Sequence, residues 1–254
     1  MYVHDLDPVA FYLINYPISW YWVFYPISFF LIYFFARKHL NKTLDEFVPK
    51  DFIDFVVVLW FSVIVGGRLG YFLFYQPQLL LNEPGAILEI WRGGMSFHGA
   101  LLLCLFSAWL LQKYRHIPAV TYGSGILLFL PIGLFLGRVG NFINGELWGN
   151  PTELPWGMVF PKADGLVRHP SQLYEAILEG PFLFLTLWVS KQKIPTAIGF
   201  ILFYGIFRFF IEFTREADRH IGYFAGLSLG QYLCLLMIIA SVVSLFFHRR
   251  TKHL

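Results

Sequence analysis

Charge is what this sequence has least of. Only 14% of its 254 residues are Asp, Glu, Lys or Arg, against about 25% in soluble domains, so an ordinary water-facing surface is excluded. Cysteine is scarcer still. Cys104 and Cys234 are the only two, each inside an apolar run with no His or second Cys at ligand spacing, which argues against a disulfide framework and a cysteine-based metal site. The N-terminal stretch MYVHDLDPVAFYLINYPISW has no basic n-region and no small-residue cleavage site before its first long apolar run, so it is expected to be retained. No internal repeat relates the two halves of the chain. The net charge is only +3, and nucleic acid is not expected as a partner.

What is present is apolar: 57% of the residues are hydrophobic. Seven stretches are long enough to cross a hydrocarbon core, at about 17–36, 52–75, 96–112, 119–138, 172–190, 196–214 and 226–247. A bilayer interior leaves no water for unpaired backbone groups, so each is predicted to be helical. The expected fold is an all-α, polytopic membrane protein with seven transmembrane helices, residues 1–254 forming a single membrane-embedded domain. Lysines and arginines orient it. Eleven of the nineteen fall in the loops after the first, third and fifth stretches and in the tail, from Arg37 and Lys38 to Arg250 and Lys252. The opposite side has five, Arg92, Lys162, Arg168, Arg215 and Arg219, spread over far more loop. Positive charge marks the cytoplasmic side, so the N-terminus is expected outside and the C-terminus in the cytoplasm.

Three arginines fall within or at the ends of the apolar stretches, where each costs about 2.5–3.5 kcal/mol even on a lenient insertion scale. With the expected topology Arg68, Arg138 and Arg208 lie in the outer halves of their helices, level with His98 near the outer start of the third stretch and Tyr21 near that of the first. One shared site accounts for all five. Each also has a plainer role open to it. Arg68 can snorkel to the interface, Arg208 can pair with Glu212 one turn later, His98 can be a helix-terminus histidine, and Tyr21 can belong to an aromatic belt.

Arg138 stands apart because of the polar residues on its C-terminal side. GRVGNFINGELWGN, residues 137–150, holds one arginine, three asparagines and one glutamate at the end of an apolar run. Arg138 supplies a planar fork of donors suited to phosphate. Asn141 and Asn144 can donate and accept, Glu146 can fix a hydroxyl or orient an arginine, and the four glycines permit close backbone approach. Irregular backbone at membrane depth is tolerated where it is buried in protein or lines a wet cavity. The combination describes a pocket for a phosphate carrying a polyol, such as a glycerol-type phospholipid headgroup.

GRVGNFINGELWG resembles the signature of the prolipoprotein diacylglyceryl transferase family, bacterial membrane enzymes of lipoprotein maturation. Further segments agree in order: GGRLGYFLFY at 66–75, WRGGMSFHGA at 91–100, RHPSQLYEA at 168–176 and YGIFRFFIEFTRE at 204–216. Family members usually carry an acidic residue early in the fourth span, where this chain has Ser124. The resemblance implies transfer of the diacylglyceryl group from phosphatidylglycerol to the lipobox cysteine thiol of a preprolipoprotein signal peptide, forming a thioether and releasing glycerol phosphate, in the bacterial inner membrane at its outer leaflet. It implies catalytic roles for His98, Arg138 and Arg208, and phosphatidylglycerol binding by Arg138, Tyr21, Asn141, Asn144, Glu146, Gly149, Arg208 and Glu212. Arg68, His169 and Tyr204 would support the site; no metal or other cofactor is implied.

The chemistry needs a thiolate and stabilisation of a departing phosphate. A free cysteine has a pKa of about 8.5, so few thiols are ionised at neutral pH. Either His98 acts as base, an unperturbed imidazole titrating near 6.5, or the field of Arg138 and Arg208 favours the thiolate directly. The stretch Gly145–Pro170 is too polar to span and is expected outside, either covering the site and receiving the signal peptide or serving as an ordinary loop. His169 and Tyr174 are expected to be structural hydrogen-bonding residues. A transporter for a phosphorylated or polyol solute would also use interrupted, glycine-rich helices with buried arginines, but the missing repeat and the clustering of ionisable residues toward one face oppose it.

Overall fold

A computed structural model describes residues 2–89, 94–215 and 223–252. The loop positions expected for Arg92 and Arg219, and the motif ends at 91–93 and Glu216, lie outside the described residues. In chain order the elements are β1 (Tyr2–Val3), β2 (Val9–Leu13), β3 (Tyr16–Ser19), α1 (Trp20–Thr43), α2 (Pro49–Tyr75), α3 (Pro77–Asn82), a 3-10 turn (Pro84–Leu88), α4 (Phe97–Arg115), α5 (Ala119–Ile143), β4 (Met158–Val159), β5 (Val167–Arg168), α6 (Ser171–Ile177), a π-helical turn (Leu178–Phe182), α7 (Leu183–Ser190), α8 (Thr196–Ile211), a 3-10 turn (Glu212–Thr214), β6 (Tyr223–Phe224), β7 (Leu227–Ser228) and α9 (Leu229–Lys252).

Among the described residues five helical paths are long and apolar enough to cross a membrane: Pro49–Leu73, Ala119–Ile143, Ser171–Ser190, Thr196–Thr214 and Leu229–Arg250. The class is therefore that of a helical, polytopic membrane protein. The first and third expected spans are also helices, α1 with 24 residues and α4 with 19. One boundary differs in a way that matters. The fourth stretch was expected to end at 138, but α5 continues to Ile143, so Arg138 lies inside the helix. Three small β-ribbons were not foreseen. Their strands have two to five residues, too short for an alternating pattern to register.

The chain forms two compact units, one of Met1–Ala36 with Ser124–Leu254 and the other Arg37–Gly123. In the second, α2 and α4 approach through glycine. A Cβ added at Gly99 would strike the Gly66 carbonyl oxygen and lie 2.6 Å from Gly70 Cα. Ser96, buried ahead of α4, accepts a hydrogen bond from Gly99 N at 3.2 Å, capping the helix. Its own N–H donates to Gly67 O at 2.8 Å. The segments GGRLG and SFHG thus interlock as backbone, which no bulkier side chain would allow. At the other end of α2, Phe52, Phe55 and Tyr122 pack edge to face, with Phe52 and Tyr122 centroids 5.3 Å apart.

In the first unit the residue pairs Ile14–Asn15 and Ala225–Gly226 all have positive φ, the signature of type I′ turns, and they close the β2–β3 and β6–β7 hairpins. Strands β1, β4 and β5 form a sheet in that order, β1 parallel to β4. This pairing delivers His4 between Phe142 and Phe160, ring centroids 5.2 and 5.3 Å away. Gly145 (φ +62°) lies against the imidazole, where a Cβ would be 3.1 Å from His4 Cε1. The fifth span is one path broken at Pro181, which lacks the N–H an α-helix needs and is accommodated by the π-helical turn. Gly180 in that turn lets the backbone approach α5, since a Cβ there would lie 2.8 Å from Phe135 Cβ.

The Gly99→Val variant is expected to lose about 1–3 kcal/mol of stability through overpacking, read as a lower Tm in detergent. Gly85, with nothing within 4 Å of its Cβ position, is the control, and Gly85→Ala is expected to leave Tm unchanged.

Candidate active site

The polar centre of the first unit is built from α5, the α6–α7 path and the end of α8. Glu175 and Glu179 are one turn apart on one face, and both are completely buried. Arg138 Nε lies 2.8 Å from Glu175 Oε2 and 3.1 Å from Glu179 Oε2. Arg208 Nη1 lies 2.8 Å from Glu175 Oε1 and 3.4 Å from Glu179 Oε1, and its Nη2 is 3.1 Å from Glu212 Oε2. Arg215 Nη1 closes on Glu175 Oε1 at 2.6 Å. Three guanidinium groups thus meet three carboxylates. The balance answers the cost of charge at this depth, since a buried ion persists when paired and hydrogen-bonded.

The pairing leaves an edge unused. Arg138 spends only its Nε on the carboxylates, and its two terminal amino groups have no partner among the described residues. Its side chain is 20% exposed while the carboxylates behind it are sealed at 0%. A fork of donors, held from behind and open in front, is suited to a phosphate or carboxylate oxygen pair.

Beyond Arg138 the last turn of α5 brings Asn141 to the same face. Asn141 Nδ2 donates to Glu146 Oε1 at 2.8 Å and Asn144 Nδ2 to the same oxygen at 3.3 Å. Gln172, fully buried one turn before Glu175, donates from Nε2 to Glu146 O at 2.6 Å. Tyr21 meets this region through α1. A Cβ at Gly140 would lie 3.0 Å from Tyr21 Cδ2, and the Tyr21 hydroxyl shares a hydrogen bond with Tyr25 at 3.0 Å. Tyr204 lies on α8 one turn before Arg208 and stacks on Phe200 with centroids 5.8 Å apart. Glu212 also accepts from Ser228 Oγ at 3.1 Å. Ser228 and Gln231 exchange side-chain and backbone hydrogen bonds at the start of α9, a capping box that ties this helix to the charge cluster.

Gly149 sits where three segments cross. A Cβ there would meet Thr214 O and lie 2.8 Å from His169 Cβ. Its N–H donates to His169 O at 2.9 Å and its carbonyl accepts from Arg168 Nη1 at 2.8 Å, so both backbone groups are occupied by protein. Arg168 also clasps Asp164, with Nη2 to Oδ2 at 2.7 Å, and this partner holds the Asp164 carboxyl well below the usual carboxylate range. His169 Nδ1 lies 3.3 Å from the Tyr174 hydroxyl, which accepts from Trp156 Nε1 at 2.7 Å. These contacts give the stretch 145–170 an order an unconstrained loop would lack.

Of the residues singled out from sequence, Tyr21, Arg138, Asn141, Asn144, Glu146, Gly149, His169, Tyr204, Arg208 and Glu212 all belong to this unit. His98 and Arg68 belong to the other. His98 is exposed in the first turn of α4. Arg68 is engaged by main-chain oxygens. Its guanidinium donates to the carbonyls of Ala86, Ile87, Glu89 and Gly94 at 2.7–3.1 Å, so it pins the chain between α3 and α4. Glu175, Glu179, Gln172 and Arg215 were missed. The signal was present: two glutamates one turn apart in an apolar span require cationic partners. Among the described residues no group of three or more His, Cys, Asp or Glu side chains is placed to hold a metal ion.

Apolar helices of membrane-spanning length around a compensated cluster of arginine and glutamate define an integral membrane protein with a buried charge centre. A sequence profile described as prolipoprotein diacylglyceryl transferase matches residues 8–247, and the chain belongs to that family. A relative from Oleidesulfovibrio alaskensis is 46% identical over 252 residues, covering 97% of this chain and 94% of its own. One from Nitratidesulfovibrio vulgaris strain DP4 is 50% identical over 192 residues, covering 73% of each chain. One from Cupriavidus metallidurans is 43% identical over 254 residues, covering 96% of this chain and 94% of its own. All three are named phosphatidylglycerol–prolipoprotein diacylglyceryl transferase.

Burial lowers the pKa of His169 below the imidazole's ordinary value of about 6.5. The unfolded chain takes up this proton first, so the stabilising contribution is present above about pH 6.5 and is lost as pH falls toward the folded value. Thermal unfolding between about pH 7.5 and about pH 5 is expected to show a steeper loss of stability in wild type than in His169→Gln. Equal slopes would contradict the assignment.

Proposed function

We propose that the protein transfers the diacylglyceryl group of phosphatidylglycerol to the lipobox cysteine thiol of preprolipoproteins, the first step of bacterial lipoprotein maturation. The names of relatives matching nearly the whole chain support this reaction. The observation that carries it to a site is Arg138, anchored through Nε on Glu175 and Glu179 with both terminal amino groups unpartnered among the described residues.

In this assignment Arg138 takes the lipid phosphate and Arg208 adds positive potential from the same carboxylates. The cysteine sulfur forms a C–S bond to the glyceryl carbon as its C–O bond breaks, and glycerol phosphate departs with the bonding electrons. Charge growing on the departing phosphate is stabilised by guanidinium groups already fixed in place, which need no reorganisation during the reaction. The thiol proton is released as the thiolate forms in the arginines' field, and a base role for His98 rests on the family resemblance alone. Asn141, Asn144, Glu146 and Glu212 shape the headgroup site with Tyr21, Gly149 supports it by letting the chain cross, and His169 and Tyr204 hold the surrounding structure, while Arg68 holds carbonyls within its own unit.

The proposed setting is the bacterial inner membrane, crossed seven times once α1 and α4 join the five more apolar paths. At about 1.5 Å per residue even the 19-residue α4 is close to the thickness of a hydrocarbon core. The lysine and arginine bias supports an outside N-terminus, a cytoplasmic C-terminus and a site toward the outer leaflet, with 145–170 extracytoplasmic where a signal peptide arrives.

Purified protein in detergent, given phosphatidylglycerol and a lipobox peptide, is expected to add the mass of one diacylglyceryl group to the peptide's cysteine. Arg138→Ala is expected to abolish the adduct and Cys104→Ala to leave it intact. No adduct with wild type, under conditions where a relative is active, would overturn the function, and the reverse variant pattern would overturn the site.

A further inference from the structure

Two side-chain amides beside the charge cluster are half satisfied. Asn144 Oδ1 and Gln172 Oε1 are buried acceptors with no donor among the described residues. Glu175 Oε2 and Glu212 Oε2 also lack a well-directed hydrogen bond, but arginine nitrogens lie 2.8 and 3.1 Å from them. The amides have no such compensation. Each spends its N–H donor on Glu146, Gln172 on the backbone carbonyl at 2.6 Å and Asn144 on the carboxylate at 3.3 Å, and this fixes where its oxygen sits. Gln172 is completely buried. A buried acceptor without a donor is costly, and in a site that binds substrate the cost is relieved when a ligand brings the hydrogen.

Helix spacing puts Gln172 and Asn141 one turn from the charge cluster, and Asn144 directly follows the end of α5. On α6 Gln172 precedes Glu175 by three residues, and on α5 Asn141 follows Arg138 by three, each pair sharing a helix face. Both lines converge on Glu146, through Gln172 on one side and Asn141 and Asn144 on the other. An anion on Arg138 would therefore extend its substituent toward two neutral acceptors. Neutral amide oxygens at full burial suit neutral O–H donors, whereas an ammonium there would need a counter-charge.

We propose that Gln172, with Asn144, determines headgroup specificity by accepting hydrogen bonds from the glycerol hydroxyls of the donor lipid while Arg138 holds its phosphate. The proposal rests on phosphatidylglycerol being the donor. A site built around buried acceptors rejects an analogue that lacks the hydroxyl, because the acceptors then stay unpaired.

The test compares phosphatidylglycerol with an analogue whose headgroup is a propyl ester of the same phosphate, without hydroxyls, in the peptide transfer assay. Wild type is expected to show a KM about tenfold higher for the analogue with kcat less affected, the scale of one neutral hydrogen bond. Gln172→Met, similar in length and unable to accept a strong hydrogen bond, is expected to raise KM for phosphatidylglycerol most of the way toward the analogue's value while leaving the analogue's own KM unchanged. Asn144→Ala is expected to narrow the discrimination in the same direction, so the proposal does not depend on one variant folding. Equal use of both lipids by wild type would overturn it, as would Gln172→Met losing rate on both lipids with the ratio intact. No transfer from phosphatidylglycerol by wild type would overturn the underlying function, and the proposal with it.

Discussion

Glu175 and Glu179 carry two carboxylates into the middle of a membrane protein with no exposure to solvent. Such groups persist only where positive charge meets them, and removing one partner of a buried pair costs about 3–5 kcal/mol because the other is left uncompensated. Their partners come from different parts of the chain: Arg138 from α5, Arg208 from α8 and Arg215 just beyond it. Three helical paths are therefore held in register by one charge balance. The fourth joins through Glu212, whose carboxylate takes the hydroxyl of Ser228, the residue that caps α9.

The same balance prepares the site for its chemistry. A lone guanidinium at this depth would be expensive and would turn toward whatever oxygen it could reach. Held through Nε by two sealed carboxylates, Arg138 keeps a fixed direction and an open donor edge. The π-helical turn contributes here. Without Gly180 in close contact with Phe135, the backbone beside Glu179 could not come this near the helix that carries Arg138. Outside the charge layer, His4, Arg168 and the Gly149 crossing hold 144–150 in its irregular path, and Asn141, Asn144 and Glu146 stay together as a hydrogen-bonded group.

The sequence made the membrane class legible because apolar length is a strong signal that needs no tertiary information. It also brought out Arg138 and Arg208, since charge in an apolar run demands explanation. Local pattern was weaker at boundaries. The glycine and asparagines after Arg138 marked a helix end, but α5 runs on to Ile143 because packing against Tyr21 and the Glu146 hydrogen bonds sustain its last turn. Glu175 and Glu179 carried the same kind of signal as the arginines and were overlooked inside a span read for its hydrophobicity. Arg68 shows the opposite limit. Its family-like motif pointed to a site, yet its guanidinium is taken up by backbone carbonyls of a loop, a use that leaves no trace in local sequence.

The dependence of the structure on this charge balance is open to direct measurement by a double-mutant cycle of Arg138→Gln and Glu175→Gln, monitored by unfolding in detergent. Each single change is expected to destabilise strongly, and the double change by less than the sum, with a coupling of about 1–3 kcal/mol. Additive effects would show that the two residues do not depend on one another and would contradict the account.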